Sequence, residues 1–111
     1  MSTRPKRLIA GSQLTTSAAT YYTATGLKAR IDNLTLTNTT AGAVTATVHL
    51  VPNGGSASAS NCILSAKSIN AGDSYVVPGA IAQWLEDGGT IQALASANTS
   101  IGIVASGVEY T

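Results

Sequence analysis

The side chains that could carry chemistry in this chain are few and far apart. His49 and Cys62 are its only imidazole and its only thiol. A metal centre needs several His, Cys, Asp or Glu ligands that converge, and neither residue has such neighbours in the sequence. A nucleophilic triad would need His49 as its base, with Cys62 or a serine as nucleophile, but no nucleophile-elbow pattern occurs. His49 therefore reads as a strand histidine facing solvent or an interface. Cys62, in the apolar run CIL, reads as a buried structural thiol, and a lone cysteine can form no internal disulfide. Glu86 and Asp87 lie in EDGG, where a solvated turn is the better reading than an acid/base pair. GDS and the paired glycines do not match a phosphate loop. The expectation is a non-enzyme with no catalytic residue, no cofactor, no metal and no small-molecule substrate.

The aromatic residues offer binding rather than reaction. Trp84, among apolar neighbours in AQWLE, reads as a plug for the core or a sheet end, or as an interface anchor, a role in which Trp is favoured. Tyr21 and Tyr22 are consecutive, so on a strand they face opposite ways. One is expected inside and the other exposed, where an aromatic ring on a β-sandwich could bind sugar.

The elements that must position these residues are strands. Period-two alternation and turn residues recur along the chain, and helical periodicity is nearly absent. Strands are predicted over 7–14, 20–25, 28–38, 44–51, 62–69, 74–78, 90–96 and 100–110. A bulge is expected near Asn33, because Ile31 and Leu34 are out of phase. In VTATVHLV, Val44, Ala46, Val48 and Leu50 should face the core, with Thr45, Thr47, His49 and Val51 on the other side. The stretch 34–55 reads as a hairpin turning at 39–42. Residues 52–61 read as a flexible loop that crosses between sheets or touches a partner. NAGDS reads as a tight turn with Gly72 at positive φ, and IAQWLEDGG as the one place for a helical turn. About eight strands at this spacing predict an all-β, single-domain antiparallel β-sandwich. The strand count favours a jelly roll over an immunoglobulin-like order.

Charge is scarce and uneven. Charged residues make up 10% of the 111-residue chain, against about 25% in a typical domain, while Ala, Ser, Thr and Gly fill about half of it. No charged residue occurs from Asn33 to Ala66. A weakly charged exterior is poorly protected against association, which points to surface covered by a partner. Arg4, Lys6, Arg7, Lys28 and Arg30 precede every acid: Asp32, Asp73, Glu86, Asp87 and Glu109. The start, MSTRPKR, combines three cations with Pro5, so residues 1–7 are expected to form an extended basic arm outside a sandwich of residues 8–111. Arg4, Lys6 and Arg7 would dock it on an acidic neighbour. The basic footprint is too small to favour nucleic acid. No stretch has the apolar length of a signal peptide core or a membrane span, so cytoplasmic synthesis is expected. The triplets beginning at Asn33, Asn38 and Asn98 fit the glycan-acceptor pattern but arise easily in so Ser/Thr-rich a chain.

The order LTLTNTTAGAVTATVHLVPNGG, SINAGDSYVV, WLEDGGTIQALAS and a closing SGVEYT resembles small β-sandwich virion proteins of tailed bacteriophages, some of them capsid decoration or cement proteins. The resemblance covers residues 28–110. It implies a bacteriophage structural protein made in the host cytoplasm and placed on the capsid exterior, with the major capsid protein as partner. It also implies a closed homo-oligomer, a trimer first, because shell lattices offer three-fold sites, and a dimer next. A neck, tail or baseplate component is the alternative, and a carbohydrate-binding module the next.

Overall fold

A computed structural model describes residues 2–111. Nine strands form: β1 (Thr3–Gln13), β2 (Ala19–Thr23), β3 (Lys28–Asn38), β4 (Val44–Val51), β5 (Cys62–Ile69), β6 (Ser74–Val76), β7 (Gln83–Leu85), β8 (Thr90–Ala95) and β9 (Ile101–Tyr110). One antiparallel sheet runs β1-β9-β3-β6, with the short β7 also on β3, and the other runs β2-β8-β4-β5. Strands β1 to β4 alternate between the two sheets, as do β8 and β9, which is the jelly-roll order. The fold is thus the expected all-β sandwich. Single turns of 3-10 helix occupy 59–61 and 78–80. Among the described residues, no helix is long and apolar enough to cross a membrane.

The core follows from the alternation. Val44, Ala46 and Val48 of β4 and Ile91 and Ala93 of the neighbouring β8 share one buried core with Ala29, Ile31, Leu34 and Leu36 of β3 and Ile101 and Ile103 of the neighbouring β9. The expected bulge is present, because the β3–β9 register shifts between Ile31 and Asn33. It restores Leu34 to the inner face, where it is fully buried. Small side chains such as Ala29, Ala93 and Ala105 are buried in the same core.

Four expectations are corrected. Residues 34–55 are not a hairpin: β3 pairs with β6, β7 and β9, and β4 with β5 and β8. The segment 39–43 instead carries the chain from one sheet to the other. Asn38 builds that corner. Its fully buried amide donates to the carbonyls of Gly42 (2.8 Å) and Ile69 (2.9 Å), and its oxygen accepts from the N–H (2.9 Å) and hydroxyl (2.7 Å) of Thr40. The turn at 70–73 closes on the same residue, with Gly72 at φ +76° donating its N–H to the Asn38 carbonyl.

Residues 52–61 do not cross between sheets, because β4 and β5 on either side are neighbours in one sheet. Residues 83–85 make strand β7 rather than a helical turn. The basic start is not an arm outside the sandwich. From Thr3 it is strand β1, paired antiparallel to β9 from Thr3 opposite Tyr110 to Gln13 opposite Gly102. Pro5 is tolerated because β1 is an edge strand. Met1 lies outside the described residues.

Candidate functional site

The cations expected to reach a partner divide by strand alternation. Arg4 and Glu109 are register partners, and the Arg4 guanidinium (Nη2) lies 3.3 Å from Glu109 Oε1, with Lys6 Nζ 3.6 Å from Oε2. Glu109 is only 5% exposed. A buried carboxylate needs partners to remain charged, and a third comes from the opposite sheet. The Tyr22 hydroxyl donates to Glu109 Oε2 at 2.5 Å. Burial, then this hydrogen bond and the charge of Glu109, hold the Tyr22 hydroxyl far above its ordinary pKa. The acidic neighbour foreseen for Arg4 and Lys6 is therefore the chain's own last strand. Because strand neighbours alternate, Arg7 is on the other face, opposite Ser106.

That outer face of the β1-β9-β3-β6 sheet carries the largest exposed apolar groups. One row across the strands is Trp84–Arg30–Val108–Pro5, and the next is Lys28–Tyr110–Thr3. Farther along, Val76 and Val104 flank Thr35. Trp84 is 49% exposed, Val76 46% and Val104 40%, and Ile81 is exposed in the connection before β7. The Trp84 and Tyr110 rings pack across β3 with centroids 5.1 Å apart at 39°. Trp84 is thus not a core plug; it stands on the sheet surface. The Arg30 guanidinium (Nε) is 2.9 Å from Asp32 Oδ1, a bond that raises its pKa further. Lys28 and Glu86 pair at 3.3 Å. Arg7 makes no ion pair among the described residues.

The other sheet's outer face is arranged differently. Thr45 and Thr47 are half-buried as the alternation requires, but His49 and Val51 are buried. The 52–61 loop folds back over them. His49 Nδ1 lies 3.0 Å from both the Ser58 carbonyl and Asn61 Oδ1. Asn61 Oδ1 also accepts the Ser58 N–H, and Asn61 Nδ2 donates to the Ser56 carbonyl. Both of the histidine's partners are acceptors, so Nδ1 carries the proton. His49 is a clasp for the loop.

Cys62 lies opposite His49 in the register, and both line a 460 Å³ cleft. The thiol is only half-buried and donates to the Leu64 carbonyl at 3.2 Å rather than to the imidazole, so the hydrogen bond that would activate a nucleophile is missing. Among the described residues, no three His, Cys, Asp or Glu side chains gather as metal ligands. Glu86 and Asp87 do not act together either: Glu86 turns to Lys28, while Asp87 accepts the Gly26 N–H at 2.8 Å.

No family model, no curated protein and no solved structure matches the chain. Trp84 and Arg7 thus share a face, while Arg4 and Lys6 point to Glu109. The parts that sequence reasoning missed are Glu109, Tyr110 and Val104. Of these, Glu109 carried a signal: it is a lone acid in an otherwise uncharged strand, set against a basic first strand.

Proposed function

We propose that this domain is a non-enzymatic structural protein of a bacteriophage virion, a decoration or cement protein that binds the assembled major capsid protein from the outside. The observation that carries the reading is the outer face of the β1-β9-β3-β6 sheet. It offers Trp84, Val76 and Val104 to solvent, with the half-buried Tyr110 beside Trp84, on a domain with very few charges. Exposed apolar groups set among polar ones, here two patches on either side of the Arg7–Ser106–Asn33 row, are what a protein interface presents. Arg7 and Arg30, on the same face, would meet acidic groups of the shell. A ligand that binds only the assembled lattice stabilises it by mass action. Closed self-association on the shell, as a trimer or else a dimer, belongs to the same proposal and is supported by the same uncovered face.

The test is to quantify this chain in purified virions and to measure incorporation of the Val104→Asp variant. Hundreds of copies per particle, and loss of incorporation by a variant that melts like the parent, are expected. A handful of copies would move the protein to a neck or tail ring. Unchanged incorporation of Val104→Asp would remove this face from the interface.

A further inference from the structure

At the Trp84–Tyr110 end of that face lies a cleft that could be occupied independently of the Val76–Val104 end. It has a volume of 360 Å³ and is lined by Lys28, Trp84, Glu86 and Tyr110. Two aromatic rings form one wall, inclined to each other at 39°. The rest is a cation and a carboxylate 3.3 Å apart, both largely exposed. Their charges cancel, so the cleft favours neither an anion nor a cation. What remains is a hydrogen-bond donor next to an acceptor, beside an exposed indole. A second cleft, of 150 Å³, continues on the Leu50–Pro52 side and shares Trp84 and Glu86. Trp84 therefore stands between two adjoining depressions.

We propose that this is a binding site for neutral saccharide chains. The C–H face of a pyranose ring is apolar and stacks on an aromatic face, while adjacent hydroxyls both donate and accept. The Lys28–Glu86 pair meets both needs at one point, since the ammonium only donates and the carboxylate only accepts. Small clefts with apolar walls and a few placed polar groups are the usual form of ligand sites. The shared indole places consecutive sugar units on either side of Trp84, so an oligosaccharide should bind better than a monosaccharide. A contact of one or two rings has a dissociation constant on the order of 1 mM.

Trp84 is the only tryptophan, so its fluorescence reports on this site alone. The purified chain is titrated with glucose and galactose, then with maltotetraose, cellotetraose and chitotetraose. A saturable change with at least one tetrasaccharide, several-fold tighter than with the monosaccharides, is expected. Glu86→Ala and Lys28→Ala should each weaken it about tenfold, whereas Val104→Asp should leave it unchanged. That last arm separates the cleft from the Val104 end of the shell-binding face: its result stands whether or not the chain is found on a capsid. No saturable change with any of the five sugars overturns the proposal. So does a change indifferent to Glu86 and Lys28, or a response confined to choline or to an acidic peptide used as controls.

Discussion

Replacing Asn38 by alanine should unfasten the corner between the two sheets without touching the hydrophobic core. The side chain makes four hydrogen bonds and is fully buried. The losses are unequal. Thr40 is exposed and can turn to water, and the Gly42 carbonyl also accepts from the Thr40 hydroxyl at 3.1 Å. The Ile69 carbonyl is different, because its bond to Asn38 is buried. A buried acceptor left unpaired costs about 1–3 kcal/mol, and each more exposed bond about 0.5–1.5 kcal/mol. A total near 3 kcal/mol follows for Asn38→Ala. For a chain of this length each kcal/mol lowers Tm by about 4 °C, so a drop of about 12 °C is expected. Asn38→Asp sharpens the test. Its carboxylate can still accept from Thr40, but it turns lone pairs toward two carbonyls. It should be at least as unstable as Asn38→Ala near neutral pH and should recover in acid, where a protonated carboxyl can donate again. Thermal melts followed by circular dichroism and by Trp84 emission measure both variants. A loss below 4 °C for alanine, or an aspartate variant as stable as the parent at pH 7, would refute the account of the corner.

Three further outcomes can be checked on the same protein. Tyr22 keeps its proton more tightly in the fold than in the unfolded chain. Its stabilisation is therefore fully present below pH 10 and fades as pH rises above it; urea titrations from pH 8 to 11 should show this decline, and Tyr22→Phe should be less stable at pH 8 but decline less. An added Cβ at Gly107 would run into the Arg30 carbonyl in the middle of the β3–β9 ladder, so Gly107→Ala should lower stability by about 3 kcal/mol or more, read as a lower urea midpoint or as insoluble product. His49→Ala should speed hydrogen exchange at Ser58 and Asn61 while lowering Tm by only a few degrees, since it releases a surface loop.

Strand limits were legible wherever two-residue alternation is bounded by turn residues, as for Lys28–Asn38, Val44–Val51 and Cys62–Ile69. The bulge near Asn33 was legible because a phase slip in the apolar pattern is a local signal. Pairing was not. Alternation says which side of a strand is buried but not which strand lies beside it, so the β3–β4 connection read as a hairpin while Asn38 turns it into a corner. The first strand was hidden because cations and Pro5 make a poor core segment. Its burial is shallow, and its partners Glu109 and Val108 lie at the far end of the chain. His49 was expected on an open face because nothing in NGGSASASN tells that Ser58 and Asn61 fold back onto it. The exposed face was only partly legible: Trp84 stood out by type, but Tyr110 and Val104 come from β9 and share its face only through the register of β3, Tyr110 beside it and Val104 farther along.

The pairing of β1 with β9 also sets a timetable. Of the nine strands, β1 is made before the others and has no ladder partner until β9 emerges. At about 5–20 residues per second, that leaves β1 unpaired for on the order of ten seconds. Ladders between such distant segments form slowly even in the finished chain, on the millisecond-to-second scale of sandwich folds. During the wait, an unpaired edge is open to the wrong strand, including one from another nascent chain. Arg4, Lys6 and Arg7 crowd such an edge with like charge, and Pro5 removes one of its donors. Neutralising the three cations should therefore lower the yield of refolding at high protein concentration more than it lowers equilibrium stability.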